Sequence, residues 1–392
     1  MSKFASLLVA ASLFSGAFVQ ASEFASTTLQ HAVPTPNIDA PAWIIVDYHT
    51  GKVLAEKNAD ARREPASLTK MMTSYVLSGE IASGRVNAND MATVSEKAWR
   101  LNKNPSENSL MFLEVNKQVS LHDLHLGIII QSGNDASIVV AEHLSGSEDA
   151  FASLMNRYAQ NLGMSNTNFV NSTGLPHPEH YSSARDMAKL GAALIRDFPQ
   201  DYSFYSQKEM TFNGITQANR NSLLWDTSFN VDGIKTGHTS GAGFCLVTSA
   251  EQNGMRLVTA VLGSKSMATR AQESKVLLTW AFRNFDAVQA VKAGETLTEA
   301  RLWYGAKEML PVGLATPANV VIPRGRRQDL KANFSMLPDL EAPMPKGQVV
   351  GKLFLQLDGK DIAEFPMISL EEVQEGGMVS QFSDWVSKKF AD

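Results

Sequence analysis

The chain has 392 residues, 44 % of them hydrophobic and 19 % charged, with a formal net charge of −5. That length exceeds one ordinary core and suits a large domain joined to a smaller one, in a folded globular chain and not a disordered or fibrous one. A slightly acidic balance without zinc-finger or aromatic–basic motifs excludes the usual nucleic-acid binders, and a single cysteine, Cys245, excludes an internal disulfide.

Residues 1–21 read as a signal peptide. Lys3 supplies a positive start, Phe4 to Val19 is apolar or small, and Val19-Gln20-Ala21 offers a small-x-small cleavage site, so the mature chain is expected to begin near Ser22 after export. The apolar run is too short and too serine-rich for a transmembrane helix. A proline-containing linker over residues 22–40 leads to two strands, Trp43 to Asp47 and Val53 to Glu56, around the turn His49 to Lys52. A largely helical region extends to about Phe198. Strands are predicted at Asn230 to Ile234, Gly243 to Ala250 and Met255 to Leu262, then an amphipathic helix from Ser274 to Phe285. Cys245 lies in the apolar run Gly243 to Val247 and is predicted to be a packed core thiol.

The pattern changes near Asp286, where short alternating segments begin. Val349 to Leu357 and Asp361 to Ile368 flank Asp358-Gly359, a strong hairpin signal, and residues 286–375 are predicted to form a small all-β domain. Arg324-Gly325-Arg326-Arg327 reads as a solvated turn, with lipid or an anionic wall polymer as the alternative partner. In residues 376–392, Met378, Val379, Phe382, Trp385, Val386 and Phe390 recur at helical spacing. Such an amphipathic helix could lie on a membrane or dock on its own protein; Asp384 and Asp392 oppose anionic lipid.

Three short motifs occur in order: Ser67-Leu68-Thr69-Lys70, Ser132-Gly133-Asn134 and Lys235-Thr236-Gly237. Ser67 is expected in the first turn of a helix, with Lys70 on the same face one turn along. A serine hydroxyl is a weak nucleophile and needs a base within reach; a lysine can serve if burial or nearby positive charge lowers its pKa. Ser132 could pass a proton to a leaving amine and Asn134 could hold a substrate carbonyl and the lysine, although Ser, Gly, Asn and Asp135 also suit plain helix capping. Lys235, on a strand, would attract a substrate carboxylate and keep Lys70 deprotonated; Thr236 adds a hydroxyl and Gly237 lets a substrate backbone approach the strand edge. Each motif alone has a structural explanation. Ordered co-occurrence by chance is expected well below about once in a hundred such chains.

This trio, with Ser-Gly-Asn where the signature has Ser-Asp-Asn, resembles that of penicillin-binding proteins and class A β-lactamases. Further stretches, Tyr181 to Met187, Asn219-Arg220-Asn221, Leu223 to Asp226 and Val231 to Thr239, resemble the low-molecular-mass penicillin-binding D-alanyl-D-alanine carboxypeptidases over roughly residues 35–392. The resemblance implies an α/β (α+β) β-lactamase-like catalytic domain over residues 22–285, an antiparallel sheet flanked by helices, followed by the β domain and the C-terminal helix. It implies that Ser67 is acylated, that Lys70 is its base, that Ser132 relays a proton and that Asn134 orients Lys70 and the substrate amide. It implies that Lys235, Thr236 and Arg220 bind the terminal carboxylate region and that the Ser67 and His238 N–H groups form an oxyanion hole. The implied partners are peptidoglycan stem peptides ending in D-Ala-D-Ala and β-lactams, with no cofactor, in the periplasm on the outer face of the inner membrane. A lactamase would need a deacylating glutamate a few tens of residues after the second motif; residues 165–176 contain none, and Glu179 sits in Pro178-Glu179-His180 without the following Leu-Asn of that pattern. His177, Glu179 and His180, or His122 and His125, do not match a zinc motif and read as surface features.

Overall fold

Strands whose side chains are buried on both faces must be covered on both sides. All six residues of β1 (Ala42–Asp47) are buried, with Ile44 and Val46 in one core cluster and Trp43 and Ile45 in another, the period-2 alternation of a strand between two layers. The computed structural model describes residues 33–106 and 108–389; the expected signal peptide, residues 1–21, lies outside them. β1, β2 (Val53–Lys57), β3 (Asn230–Thr239), β4 (Gly243–Gln252) and β5 (Met255–Ser264) form an antiparallel sheet in the order β2-β1-β5-β4-β3. One face is packed by the helices α1 (Thr69–Ala82), α2 (Asn134–Ser145), α3 (Glu148–Asn161) and α4 (Ala184–Asp197) and the core they share. The other face is covered by α5 (Met267–Asn284). This is the expected helix-flanked antiparallel sheet, and β3 is left as an edge strand.

Several elements differ from expectation in their bounds. α5 starts seven residues before the predicted Ser274, because Ser266 caps it by accepting from Thr269 N. β3 runs on to Thr239, because the polar stretch Lys235 to Thr239 pairs with Gly243 to Val247 in β4. Cys245 is buried, and burial pushes its thiol up to about 11.

Past α5 the chain is almost wholly β. β6 (Phe285–Val291) pairs with β9 (Ala318–Pro323), and β7 (Thr298–Arg301), β8 (Met309–Leu314), β10 (Lys331–Met336), β11 (Val349–Leu357) and β12 (Lys360–Ser369) form a sheet in the order β7-β8-β12-β11-β10 around their own core. Asp358 and Gly359 both take positive φ, 53° and 74°, as the two-residue turn between β11 and β12 requires. The basic stretch is not a free cationic patch: Arg324 pairs with Asp286, and Arg326 with Asp329 and Asp358.

The last helix, α6 (Met378–Lys389), docks by its polar side. Asp384 is buried and accepts from Arg301 Nη2 at 2.5 Å and Tyr304 N at 2.7 Å, while Lys388 reaches Asp339 and Glu341. Met378, Val379, Phe382 and Trp385 face outward, 51–89 % exposed. Asp384 therefore does not present its charge to a membrane, contrary to the expectation from sequence: it is consumed by the docking.

Candidate active site

The chain before α1 makes a single 3-10 turn, Ala66–Leu68, so Ser67 sits just ahead of the helix and not within its first turn. Lys70, three residues on, lies inside the fold, 1 % exposed. Its Nζ is 3.1 Å from Ser67 Oγ, 2.8 Å from Asn134 Oδ1 and 2.6 Å from the Thr173 carbonyl. The turn is held from two sides. Gly174, at φ +83°, lies against Ala66, and a Cβ there would fall 1.8 Å from the Ala66 carbonyl oxygen. Gly237 brings the edge of β3 onto the same turn; its Cβ would come within 3.0 Å of Pro65 O. Both positions demand glycine for close approach of two backbones.

Ser132 is set by an unusual helix end. Residues Gly127–Gln131 form a π-type turn, Gly133 N donates to Gly127 O, and Ser132 adopts φ 63°, ψ 33°. A widened turn of this kind re-aims the chain at functional sites. Ser132 is 2 % exposed, and among the described residues its hydroxyl oxygen has no hydrogen-bond partner. Asn134 opens α2, and its Nδ2 donates to Asn108 Oδ1 at 3.0 Å, which turns Oδ1 toward Lys70. Asp135 beside it accepts from Met111 N and Leu113 N and so ties the 108–113 segment to the helix.

Lys235 and Thr236 are buried in β3, 3 % and 6 % exposed. The lysine's hydrogen bond is a long one, 3.4 Å to Thr236 O. Arg220 is presented at the mouth by buried neighbours. Asn219 donates to Gln207 O and accepts from Asn221 N, and Asn221 donates to Gly233 O at 3.0 Å. His238 is exposed, its ring stacked on Phe244 at 4.0 Å.

The electrostatics are one-sided. Among the described residues neither Lys70 nor Lys235 has a carboxylate at ion-pair distance. Burial, then the charge of Arg220, lowers Lys70 to about 7, against the weaker pull of Asp135 and Glu148. Burial, then Lys70, Arg220 and Arg270, holds Lys235 well below the usual lysine range. A buried amine with a pKa near neutrality beside a serine hydroxyl can take a proton, and cations without counter-ions can receive an anion.

Sequence reasoning missed four participants. The Thr173 carbonyl is a backbone group in a loop, invisible to side-chain motifs. Asn108 lies in an unpatterned stretch. Arg270, 5 % exposed in the first turn of α5, donates to Gly237 O at 3.2 Å from behind β3. Glu148 accepts from Ser172 under the loop that carries Thr173. The Ser-Thr-Gly turn at 172–174 was the one available signal.

Among the described residues no histidine belongs to a group of three or more side chains that could hold a metal ion. His180 is buried, contrary to the surface reading, because Val170 N donates to its Nδ1 at 3.1 Å and its Nε2–H then donates to Thr69 Oγ1 at 2.7 Å. His125 is also buried and bonded to Ser74 Oγ.

Residues 29–266 match the family model described as D-alanyl-D-alanine carboxypeptidase, and residues 285–375 match the C-terminal domain of penicillin-binding protein 5. The chain is 48 % identical over 364 residues to the D-alanyl-D-alanine carboxypeptidase DacC of Escherichia coli (strain K12), covering 92 % of this chain and 91 % of that one. It is 47 % identical over 378 residues to DacA of the same organism, covering 95 % and 94 %. Among solved structures it is similar to penicillin-binding protein 5 of Haemophilus influenzae, at 46 % identity and a TM-score of 0.83, with 88 % of this chain and 100 % of that chain covered. With its motifs, its two-part fold and these relatives agreeing, the chain belongs to the D-alanyl-D-alanine carboxypeptidase family of penicillin-binding serine peptidases and is a serine-type D-Ala-D-Ala carboxypeptidase.

Proposed function

We propose that this enzyme removes the terminal D-alanine from peptidoglycan stem peptides through an acyl-enzyme on Ser67, with Lys70 as the base. The observation that carries this reading is the hydrogen-bond set of Lys70. A neutral amine has two N–H bonds and one lone pair. Thr173 O and Asn134 Oδ1 can only accept, so they take the two N–H bonds, and the lone pair is left for the Ser67 hydroxyl proton.

Lys70 takes that proton as Ser67 Oγ bonds to the carbonyl carbon between the two D-alanines. The oxyanion is received by the N–H groups of Ser67 and His238. The C–N bond breaks as Ser132 Oγ hands a proton to the departing amine, and the hydroxyl is replenished from Lys70. Water then hydrolyses the ester. Lys235, Thr236 and Arg220 hold the terminal carboxylate. A β-lactam offers a similarly placed amide and carboxylate, but its leaving group stays tethered, so the acyl-enzyme lasts.

The mature chain is proposed to start near Ser22 in the periplasm, with a catalytic domain to residue 285, a β domain over 286–375 and a C-terminal segment over 376–392 whose helix α6 meets the membrane. The outward apolar side of α6 supports peripheral contact with the inner membrane. Removal of the terminal D-alanine withdraws donor peptides from cross-linking, which connects the activity to wall remodelling and cell shape.

Intact mass after mixing with penicillin, followed by D-alanine release from a peptide ending in D-Ala-D-Ala, tests the assignment. An adduct on Ser67 together with release is the expected outcome, and Ser67→Ala should abolish both. Labelling or cleavage that survives Ser67→Ala would overturn it.

A further inference from the structure

We propose that Glu148 is a positioning residue for the Lys70 base: its carboxylate fixes Ser172, and through Ser172 the Thr173 carbonyl that takes one of the Lys70 N–H bonds. The inference rests on the reading of Lys70 as base.

Glu148 is the first residue of α3, just after the cap Ser147. Its side chain is 11 % exposed, yet it carries three hydrogen bonds. Oε1 accepts from Ser172 N at 3.1 Å and from Ser172 Oγ at 2.8 Å, and Oε2 accepts from Lys97 Nζ at 2.8 Å. Ser172 is fully buried, and its carbonyl accepts from Thr73 Oγ1 at 2.7 Å, three residues beyond Lys70 on α1. On the other side of Thr173, Asn171 Oδ1 accepts from Gly174 N at 2.7 Å, and Gly174 rests on Ala66. The peptide plane that bears the Thr173 carbonyl is thus clamped at both ends, and Glu148 is the charged end of the clamp.

The geometry has a chemical consequence. A lysine with three hydrogen-bonding neighbours directs its lone pair at the serine only if the two pure acceptors stay in place. Asn134 holds one acceptor through its own bond to Asn108. The other is a backbone oxygen, whose position depends wholly on the flanking residues. Without the carboxylate, two donors of Ser172 lose their acceptor in a dry interior. The segment must then rotate, and the Thr173 carbonyl rotates with it. A displacement of about 1 Å at a reacting group can cost about 100-fold in rate.

Glu148 also acts through its charge. Lys97 and Asp149 flank it on the outside, and Lys70 and His180 face it from α1 and the following loop, with Asp135 of α2 the other acid near Lys70. Burial would push the Glu148 carboxyl up, but the bonds from Lys97 and Ser172 outweigh it and hold it below the usual range. The ionised carboxylate favours the Lys70 ammonium, so Glu148 gives up a little of the neutral-amine fraction for aim.

The test is the pH dependence of the Ser67 acylation rate constant, measured by stopped flow with a fluorescent penicillin on wild type, Glu148→Gln and Glu148→Ala. Gln keeps an acceptor for Ser172 but removes the charge. Its plateau should stay within about threefold of wild type, and its acid limb should move to lower pH because Lys70 loses a stabilising anion. Ala should lower the plateau about tenfold or more. A Glu148→Gln profile with an unmoved midpoint overturns the proposal, as does Glu148→Ala acylating at the wild-type rate. Equal losses in both variants that track their melting temperatures would assign Glu148 a merely structural role. If Glu148→Ala does not fold, the Glu148→Gln midpoint decides alone. Wild type that takes no label on Ser67 would instead fail the base reading itself.

Discussion

Removal of the Arg220 charge should move the enzyme's working pH upward. Lys70 is lowered to about 7, with burial first and Arg220 second among the causes. Half the amine is then neutral at pH 7, against roughly 1 part in 3,000 for an unperturbed lysine. Acylation of Ser67 should therefore rise about tenfold from pH 6 to pH 8 and level off above. In Arg220→Gln the amine loses one of the cations that keep it neutral. Arg220 is exposed at the mouth, so its effect is screened; about 1 kcal/mol is a fair allowance, which raises the midpoint by about 0.7 pH unit. The assay is the acylation rate constant with a fluorescent penicillin from pH 5.5 to 9, at low salt and at 1 M salt, with Arg220→Lys as the charge-preserving control. The midpoint of Arg220→Gln should lie above wild type at low salt and approach it at high salt, while Arg220→Lys stays near wild type. An Arg220→Gln midpoint at or below that of wild type would refute the electrostatic account of Lys70, whatever happens to substrate affinity.

One further outcome follows from burial and one from exposure. Burial lowers His125 and His180 from an ordinary 6.5 to about 4. Between those values the unfolded chain binds more protons than the folded one, so stability should fall as pH drops through that window, by up to about 3 kcal/mol per histidine; identical urea midpoints at pH 7 and pH 4.5 would exclude this. Replacement of Phe382 and Trp385 by serine should weaken binding to vesicles containing phosphatidylglycerol by about 3 kcal/mol, roughly 100-fold, with penicillin labelling unchanged in solution; equal co-sedimentation of variant and wild type would remove α6 as the membrane contact.

What was legible in the sequence and what was not divides along physical lines. The strand pair before Ser67, the Asp358-Gly359 hairpin and the three motifs were readable because periodicity, turn chemistry and side-chain type are local properties. Lys235 was legible as a strand residue, but the strand's end at Thr239 was not, because Gly237 is a poor strand residue by composition; cross-strand pairing to β4 overrides that preference. His180 read as a surface residue because its neighbours Pro176 to Glu179 are exposed, while the hydrogen bonds that bury it come from Val170 and from Thr69, the latter more than a hundred residues away. The acidic charge of α6 read as opposed to lipid because its partner Arg301 is 83 residues distant. The Thr173 carbonyl and Arg270 leave no trace in a motif, since one is backbone and the other acts from behind the strand.

Lys70, the proposed base, is also a costly burial. Moving Lys70 from an ordinary 10.5 to about 7 corresponds to a folding penalty on the order of 5 kcal/mol, present below pH 7 and lost above pH 10.5, because over that range the unfolded chain holds the proton more tightly. The same shift raises the neutral fraction at pH 7 by roughly 1,500-fold. These are one desolvation effect seen from two sides, so the stability cannot be recovered by relieving the burial without surrendering the base. Lys235 adds a second buried amine, held well below the usual lysine range and with no carboxylate at ion-pair distance among the described residues. A substrate that ends in a carboxylate completes that arrangement, and an uncharged or amidated peptide end does not. On the proposed reading, the Arg220 charge that helps keep Lys70 neutral also draws a free C-terminus to the site.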